Sequence, residues 1–289
     1  METDYTASLE ERITAALDKL SPKQKQLARL LLDNKYIVSF ASASQVGENV
    51  GASAATVVRF AQSLGYPGFS GLRAAIREEL PTYQTAVERI EKRLAVPPSP
   101  HDIPQQVFHT DIRNLDYTAS KLVADQFNAA LDEIVQASRI LVVGCGISAA
   151  PALFLGHSLK VIGFNVRIVA DGGFNLATDI AQLRPDTLVI AIDLWRYARS
   201  VVEAVCAARA QGAHIIAITD SVMSPLAQAA DYAFEAATDG TGHSLSPTAV
   251  ISLLNVFVAA LSYRVPDQVM DSLRRVDAAY RTSELLIKE

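Results

Sequence analysis

The spacing of apolar residues divides the chain into two parts. From Tyr5 to about Leu80, apolar residues recur every three or four positions, starting with Leu9 and Ile13, which predicts a bundle of helices. Farther along, five short runs are almost wholly apolar and alternate with helical segments, at 140–143, 166–169, 187–192, 214–219 and, more weakly, 232–235. Strands that are apolar on both faces predict a parallel sheet covered by helices on both sides.

A proline-rich stretch separates the two parts. Residues 95–104 hold four of the twelve prolines, and this density excludes a helix or an inner strand. A helical segment follows at 105–137, and further helices are expected at 248–262 and 267–288. We therefore expect an all-α head (residues 5–82), a linker with a lead helix (83–128), a three-layer α/β body (129–268) and a C-terminal helix (269–289).

Composition agrees with a folded protein of about two domains, since the chain has 289 residues and a domain has about 150. Hydrophobic residues make up 50% and charged residues 20%, which does not indicate a disordered or fibrous protein. The longest apolar stretch, 249–261, is interrupted by Ser252 and Asn255 and is shorter than the roughly 18 residues of a membrane span. The first residues lack the pattern of a secretory signal, and we expect no membrane partner.

The two cysteines, Cys145 and Cys206, lie in apolar runs. We expect both to be buried and without disulfides, as in a reducing cytoplasm, which is the predicted location. Neither cysteine has other ligand residues at metal-binding spacing. No metal site and no cofactor are therefore predicted.

Charge is distributed unevenly between the two parts. Residues 21–77 carry seven basic and two acidic side chains, whereas residues 97–289 carry fourteen basic and twenty acidic ones, within a net charge of −5. A basic head on an acidic body suits a DNA-binding module carried by a second domain. Ordinary solvated helices produce similar imbalances, so the charge alone leaves both interpretations open.

The head contains the pattern of a helix-turn-helix. A short helix at 43–50 stops at Gly51, and Ser53 caps a second helix whose core face holds Val57, Phe60, Ala61 and Leu64. The opposite surface is free to enter a major groove, although Arg59 has the alternative of an ion pair with Glu48. The candidate DNA contacts are Ser42, Ser44, Ser53, Ala54, Ala55, Thr56 and Arg59.

The same stretch resembles a known family. Residues 43–80, read ASQVGENVGASAATVVRFAQSLGYPGFSGLRAAIREEL after LSPKQKQLARLLLDN, are similar to the N-terminal domain of RpiR-type bacterial transcription regulators, with the elements TVVRF, LGY and GF. The resemblance covers residues 5–82. It implies binding of double-stranded operator DNA by a dimer, with residues 53–64 as the recognition helix.

The body opens with a glycine-rich turn after its first strand, RILVVGCGISAAPA. Gly144 and Gly146 allow the backbone to approach a ligand, and the following helix start attracts an anion. One interpretation is a relaxed dinucleotide fingerprint with Asp171 on the ribose. The other takes Ser148 as a hydroxyl donor to a phosphate, as in sugar isomerase (SIS) domains, which residues 129–267 resemble. A purely structural glycine turn is the third alternative. The RpiR-like head favours the SIS interpretation.

The third strand ends in a loop that departs from the SIS pattern. SIS domains usually carry Ser-x-Ser-Gly-x-Thr there, whereas this chain has Asp193, Trp195, Arg196 and Ala198 at those positions. Arg196 offers charge in place of the missing hydroxyls, and Asp193 would repel an anion unless it pairs with Arg196 or Arg199. A dimer contact is the alternative role for this loop.

Ligands of open α/β sheets bind beyond the carboxyl ends of the strands. The candidate effector contacts at those ends are Gly144, Gly146, Ser148, Asp193, Arg196, Thr219, Ser221, His243, Ser244 and Ser246. For Thr219 and Ser221, the capping of a strand-to-helix turn is the alternative role.

The leading hypothesis is a transcription regulator controlled by a small, phosphorylated sugar or related metabolite. We expect a homo-oligomer, at least a dimer, because one helix-turn-helix reads only a half-site. The alternative is a phosphosugar isomerase with an accessory helical domain. Its candidate bases are poor, since Glu203 lies a turn past the loop and His243 is the one histidine at a ligand-facing end. No catalytic residue is therefore assigned.

Overall fold

The structure, a computed structural model, describes residues 9–33, 35–79, 86–95, 99, 101–184 and 186–283. The chain divides into two compact units, Met1–Arg89 and Ile90–Glu289. The first contains the head and the second contains the body. Parts of the predicted linker (83–85, 96–98 and 100) and the last six residues lie outside the described residues.

The head is helical throughout its described part. Its helices are α1 (Leu9–Ala16), α2 (Pro22–Asp33), α3 (Lys35–Phe40), α4 (Ala43–Glu48), α5 (Ala54–Ser63) and α6 (Phe69–Glu79), and α7 (Ala86–Leu94) follows. Side chains from α1 to α6 form one core, in which Leu27, Leu31, Phe60 and Ile76 are fully buried. The predicted all-α head is confirmed.

The body is built on five parallel strands: β1 (Arg139–Val143), β2 (Val166–Val169), β3 (Thr187–Asp193), β4 (His214–Thr219) and β5 (Tyr232–Glu235). Their order in the sheet is β2-β1-β3-β4-β5. All neighbouring pairs are parallel, and Asp193 lies opposite Thr219 where β3 and β4 end. This confirms the predicted sheet.

Helices cover both faces of the sheet. They are α8 (Ile103–Lys121), α9 (Ala124–Gln136), α10 (Ala149–Val161), α11 (Gly173–Ala181), α12 (Arg199–Ala210), α13 (Pro225–Ala229), α14 (Thr248–Arg264) and α15 (Pro266–Thr282). Alternate residues of β1 belong to different cores, Ile140 and Val142 to one and Leu141 and Val143 to the other. This alternation confirms the three-layer α/β body.

Two expectations were wrong. The helical segment predicted at 105–137 is two helices, because Leu122 and Val123 adopt extended backbone between α8 and α9. Cys206 is exposed and Cys145 is half-buried, since α12 buries only the face that carries Val201 and Val205. An apolar run therefore did not imply burial of every residue in it.

None of the described helices is, by itself, both long and apolar enough to cross a bilayer. The pair α14 and α15, bent by 106° at its junction, meets the length and composition test only when the two are taken together.

Candidate functional site

The two helices of the predicted helix-turn-helix begin at serine caps. Ser42 accepts a hydrogen bond from the Gln45 N–H (3.3 Å), and the Gln45 side chain accepts one from the Ser42 N–H (2.8 Å), which forms a capping box. Ser53 accepts from the Thr56 N–H at 3.3 Å. The side chains of Ser42 and Ser53 thus fix the starts of α4 and α5.

The turn between these helices depends on Gly47, which the sequence analysis did not single out. Its carbonyl accepts from the Ala52 N–H at 2.8 Å, and a Cβ built on Gly47 would lie 2.3 Å from the Ala52 carbonyl oxygen. A backbone oxygen cannot move aside as a flexible side chain does. The chain can therefore bring α4 and α5 together only with glycine at this position.

We expect Gly47→Ala to lower the free energy of unfolding of the head by about 2 kcal/mol or more, because the added methyl forces the two helices apart. Gly68→Ala is the matched control, since its Cβ would meet only Val58 Cγ1 at 3.9 Å. Thermal unfolding of the full chain, followed by helical circular dichroism, measures both. Equal melting curves for the two variants would contradict this account of the turn.

Helix α5 separates a buried face from an exposed one. Val57, Phe60 and Ala61 are fully buried, as predicted. Ala54, Ala55 and Arg59 are exposed and Thr56 is half-buried. The exposed residues share the outer surface of the helix that the pattern assigns to DNA.

The alternative ion pair of Arg59 with Glu48 does not occur among the described contacts. Glu48 instead accepts a hydrogen bond from the Ser44 hydroxyl at 3.4 Å. Some other basic side chains of the head serve its structure, since Arg73 and Arg77 donate to the carbonyls of Ala41 and Ser39. The positive charge of the head is therefore partly structural.

The two glycines of the glycine-rich turn in the body differ in the space around them: Gly144 is closely packed, and Gly146 is open. A Cβ on Gly144 would lie 2.5 Å from the Ser148 carbonyl oxygen, so the turn closes tightly there. Gly146 has a φ of +59°, and a Cβ on it would meet no atom within 4 Å. The exposed backbone at Gly146 leaves space for a ligand directly before α10.

Ser148 does not present its hydroxyl at the surface. It is fully buried, and its Oγ accepts a hydrogen bond from the Leu194 N–H at 3.1 Å. In this arrangement Ser148 ties the glycine-rich turn to the loop that follows β3. The bond uses the hydroxyl as an acceptor only, so what separates Ser148 from the predicted contact with a phosphate is its burial.

Asp193 is buried at the start of the same loop, with 3% of its surface exposed. Its carboxylate accepts from the Ala198 N–H at 2.9 Å, so it holds the start of α12. The pKa of Asp193 is raised to about 7, mainly because the carboxyl group is buried and also because of the nearby Asp220 charge, while the hydrogen bond from Ala198 acts in the opposite direction. No ion pair of Asp193 with Arg196 or Arg199 occurs among the described residues, and Arg199 faces Glu203 at 4.0 Å.

The centre of this loop has an unusual backbone. Trp195 and Arg196 have φ values of +45° and +56°, a region that costs a residue other than glycine about 1 kcal/mol or more. Asp220 holds this shape by accepting from the Trp195 N–H (3.2 Å) and the Tyr197 hydroxyl (2.6 Å). Asp220 was not among the predicted site residues, although its place directly after β4 was a usable signal. The Arg196 side chain is exposed.

Thr219 and Ser221 make the contacts of a strand-to-helix turn. Thr219 is fully buried and its hydroxyl lies 3.1 Å from that of Ser224, which caps α13 by accepting from the Ala227 N–H. Ser221 accepts from the Met223 N–H at 3.2 Å. These contacts correspond to the capping role that was the alternative to a ligand contact.

The remaining candidates line a separate cleft of about 270 Å³ between α8 and the segment 240–247. His243 is exposed, and Ser244 and Ser246 are half-buried. Asp111 of α8, which the sequence analysis did not name, accepts hydrogen bonds from Ser246 (2.5 Å) and from Thr248 (2.8 Å). The structure thus brings the candidates together in two groups, one around the 193–198 loop and one around Asp111.

Comparison with known families and proteins gives consistent matches. Residues 7–82 match the helix-turn-helix domain of the rpiR family, and residues 133–261 match the SIS domain. The HTH-type transcriptional regulator HexR of Pseudomonas aeruginosa is 26% identical over 93% of this chain and 94% of its own length.

Two solved structures resemble the chain. The sugar isomerase domain of an RpiR transcription factor from Sphaerobacter thermophilus is 41% identical, with a TM-score of 0.60, over 61% of this chain and 99% of that one. The Vibrio vulnificus NanR protein, solved with ManNAc-6P, has a TM-score of 0.67 at 21% identity, over 97% of this chain and 100% of that one. The second match shows a shared fold.

Proposed function

Because the chain belongs to the RpiR family of helix-turn-helix transcription regulators with a SIS domain, we propose that its body binds a small phosphorylated sugar and that this binding changes the affinity of the head for operator DNA. The observation that carries the proposal is the open backbone at Gly146, directly before α10, in a turn that the Ser148–Leu194 hydrogen bond ties to the loop with the exposed Arg196. NanR, which shares the fold, was solved with a sugar phosphate.

The phosphate is held by main-chain groups and one cation. N–H groups at the start of a helix attract an anion, and Arg196 supplies the charge that replaces the hydroxyls of the usual SIS loop. Asp193 keeps that loop in place and, with its pKa near 7, is partly neutral at physiological pH, which reduces its repulsion of the anion. Ser148 contributes by holding Leu194.

The head contacts DNA through the exposed surface of α5. Ala54 and Ala55 allow close approach to base edges, and Arg59 reaches a phosphate or a guanine. Ser44 and Thr56 lie on the helix starts, and the caps at Ser42 and Ser53 orient both helices.

A pair of screens tests this function. Selection of bound duplexes from a random-sequence DNA library identifies the operator, and a thermal-shift screen over hexose, hexosamine and pentose phosphates identifies the ligand. A sugar phosphate that raises the melting temperature and changes the affinity for the selected duplex supports the proposal. If neither DNA nor any phosphorylated sugar binds, the proposal is wrong.

We expect Ser148→Ala and Arg196→Ala each to reduce the ligand-induced change in DNA affinity at least ten-fold, while the affinity without ligand stays nearly unchanged. The first frees the Leu194 N–H and the second removes the cation. Fluorescence anisotropy of the labelled operator, with and without the selected sugar phosphate, measures this.

Arg274→Ala is the control, since it removes one exposed charge from α15 and is expected to respond like the wild type. A normal response of Ser148→Ala together with loss of the oligomer in Arg196→Ala would instead make the 193–198 loop an interface element.

The chain is proposed to have no enzymatic activity. Both candidate bases of the isomerase alternative are exposed: Glu203 lies beside Arg199 at 4.0 Å, and His243 lies at the rim of the cleft. A general base needs a position within hydrogen-bond reach of the reacting carbon's proton. Turnover of the bound sugar phosphate in a nuclear magnetic resonance assay would favour the isomerase instead.

We propose a homo-oligomer formed through α8. Phe108, Ile112, Leu115 and Ala119 repeat at the four-three-four spacing of a helix-pairing seam, and Phe108 and Ile112 are 68% and 53% exposed. In an antiparallel pair of two copies of α8, the large Phe108 of each faces the small Ala119 of the other. A second copy is also what a helix-turn-helix protein needs to read two half-sites.

We expect Phe108→Glu to raise the dissociation constant of the oligomer at least ten-fold, because it places a charge in an apolar interface. Light scattering coupled to size exclusion at micromolar concentration measures it. Phe174→Glu is the control, since Phe174 is an even more exposed aromatic (94%) on α11. If the wild type is a monomer, or if only the Phe174→Glu variant dissociates, α8 does not form the oligomer interface.

A further inference from the structure

Helix α8 buries its polar face. Thr110, Asn114 and Thr118, one turn apart, are 7%, 3% and 6% exposed, whereas Phe108 and Ile112 face outward. This is the reverse of an ordinary surface helix, which buries apolar residues. A buried polar side chain is stable only when it is hydrogen-bonded, so the partners of this face indicate what the helix does.

The partners lie on one segment, residues 236–247 after β5, here named the β5–α14 loop. Asn114 donates to the Asp239 carbonyl at 2.7 Å, and Thr118 accepts from the Ala237 N–H at 3.0 Å. Asp111, on the same side of the helix, accepts from Ser246 at 2.5 Å. Bonds from three turns of α8 therefore hold the loop at its start, middle and end.

A fourth bond reaches the loop from α7. Arg93 donates from Nη2 to the Gly240 carbonyl, 147 residues away in sequence. Its Nη1 atom is buried and has no hydrogen-bond partner among the described residues. A buried donor without an acceptor costs about 1–3 kcal/mol, so the Arg93 guanidinium is only partly satisfied in this position.

Arg93 lies close to the boundary between the two compact units. The division between the two compact units falls inside α7, after Arg89, so Arg93 lies just past the point where the chain leaves the first unit. The β5–α14 loop forms one wall of the 270 Å³ cleft that contains His243 and Ser246. The hydrogen bonds of the β5–α14 loop thus connect the wall of this cleft with α7, the helix that contains the sequence boundary between the two units.

We propose that Arg93, Asp111 and Asn114 form a coupling clasp, through which the state of the β5–α14 loop is transmitted along α7 to the DNA-binding head. The inference rests on the proposed function, of which it specifies the regulation. These three are positioning residues: they bind neither DNA nor effector. Coupling needs an element that both sites bias. The loop is that element, because its first residue, Ala236, donates to the Thr219 carbonyl at 2.9 Å, next to the Asp220 that holds the 193–198 loop.

Reciprocity provides a test that needs no effector. If the loop state changes DNA affinity, DNA binding must change the loop state to the same extent. The probe is the duplex selected from the random-sequence library, at saturation, and the readout is amide hydrogen exchange of peptides that cover 236–247. In the wild type we expect the exchange rate of these peptides to change at least three-fold on DNA binding.

Arg93→Met and Asn114→Ala are expected to abolish that DNA-dependent change while DNA affinity stays within about three-fold of the wild type. Arg93→Met keeps most of the length of the side chain and removes its hydrogen-bond donors. If Asn114→Ala fails to fold, Arg93→Met still tests the clasp. Arg113→Ala is the control and is expected to keep the change. Arg113 lies on α8, and among the described residues its side chain bonds within that helix, to Thr110 at 3.3 Å.

The outcomes separate the two claims. If no duplex is enriched, the proposed DNA-binding function fails and the clasp has nothing to couple. If the wild type binds its duplex but exchange at 236–247 is unaffected, the clasp is overturned while DNA binding stands. Retention of the DNA-dependent change in both clasp variants also overturns the clasp, because its bonds are then not needed for coupling. A merely structural role of these residues would alter exchange equally with and without DNA.

Discussion

Replacing Arg59 by alanine is expected to weaken binding of the selected operator duplex about ten- to hundred-fold, the range of one lost arginine contact to a base or phosphate. Arg59 is exposed on α5 and has no described ion pair with Glu48, so its charge is available to DNA. The fold of the head is expected to stay intact, because the core face of α5 is formed by Val57, Phe60 and Ala61.

Anisotropy titrations at two salt concentrations measure this loss and show its origin. Removal of a phosphate contact lowers the salt dependence of binding, whereas loss of a base contact lowers the preference for operator over random duplex. Arg29→Ala is the charge-matched control, since Arg29 is an exposed residue of α2, and we expect less than about a three-fold effect. Unchanged operator binding by Arg59→Ala would contradict the assignment of α5 as the recognition helix.

Asp193→Asn is expected to make the protein more stable at pH 8 by about 2–4 kcal/mol and to leave its stability near pH 4 almost unchanged. An aspartate has a pKa of about 3.9 in an unfolded chain, whereas burial raises that of Asp193 to about 7. Between these values the folded state binds more protons than the unfolded state. The stability contributed by this group therefore falls as pH rises from about 4 to about 7 and is constant above.

Urea unfolding at pH steps from 4 to 8 tests this, with the fluorescence of the single tryptophan, Trp195, as a reporter in the same loop. Asparagine keeps an acceptor for the Ala198 N–H, so the loop geometry is preserved. Asp171→Asn, a change at an exposed carboxylate, is the control and is expected to follow the wild-type profile. A constant difference between Asp193→Asn and wild type at all pH values would contradict the raised pKa.

The strands were predictable because their signal is local. A strand of a sheet covered on both faces is apolar at every position, and β1, β3 and β4 satisfy that condition over nearly their whole length. The edge strand β2 departs from it at the exposed Arg167. The end of β3 shows the limit of the signal: the strand continues to Asp193, a charged residue that the pattern placed outside it. Its burial depends on the Ala198 N–H, a contact that apolar spacing does not encode.

The break between α8 and α9 and the roles of the site residues depend on tertiary structure. Leu122 and Val123 are apolar, and neither is a glycine or proline of the kind that marks a helix end. The sequence pattern therefore did not predict the break between the two helices. The bonds of Ser148 to Leu194 and of Asp220 to Trp195 span 46 and 25 residues. The sequence placed most of these groups at strand ends, but which of them face a ligand and which hold a loop is decided by such distant contacts.

The separate cores of the two units have an evolutionary consequence. The core of the head, with Phe60 and Leu72, shares no side chain with the two cores of the body among the described residues. A substitution that repacks one core leaves the packing of the others unchanged, and effects of distant sites add. Under the proposed function, the ligand specificity of the body and the DNA specificity of the head can therefore change separately in evolution, with few compensating mutations between the separate cores.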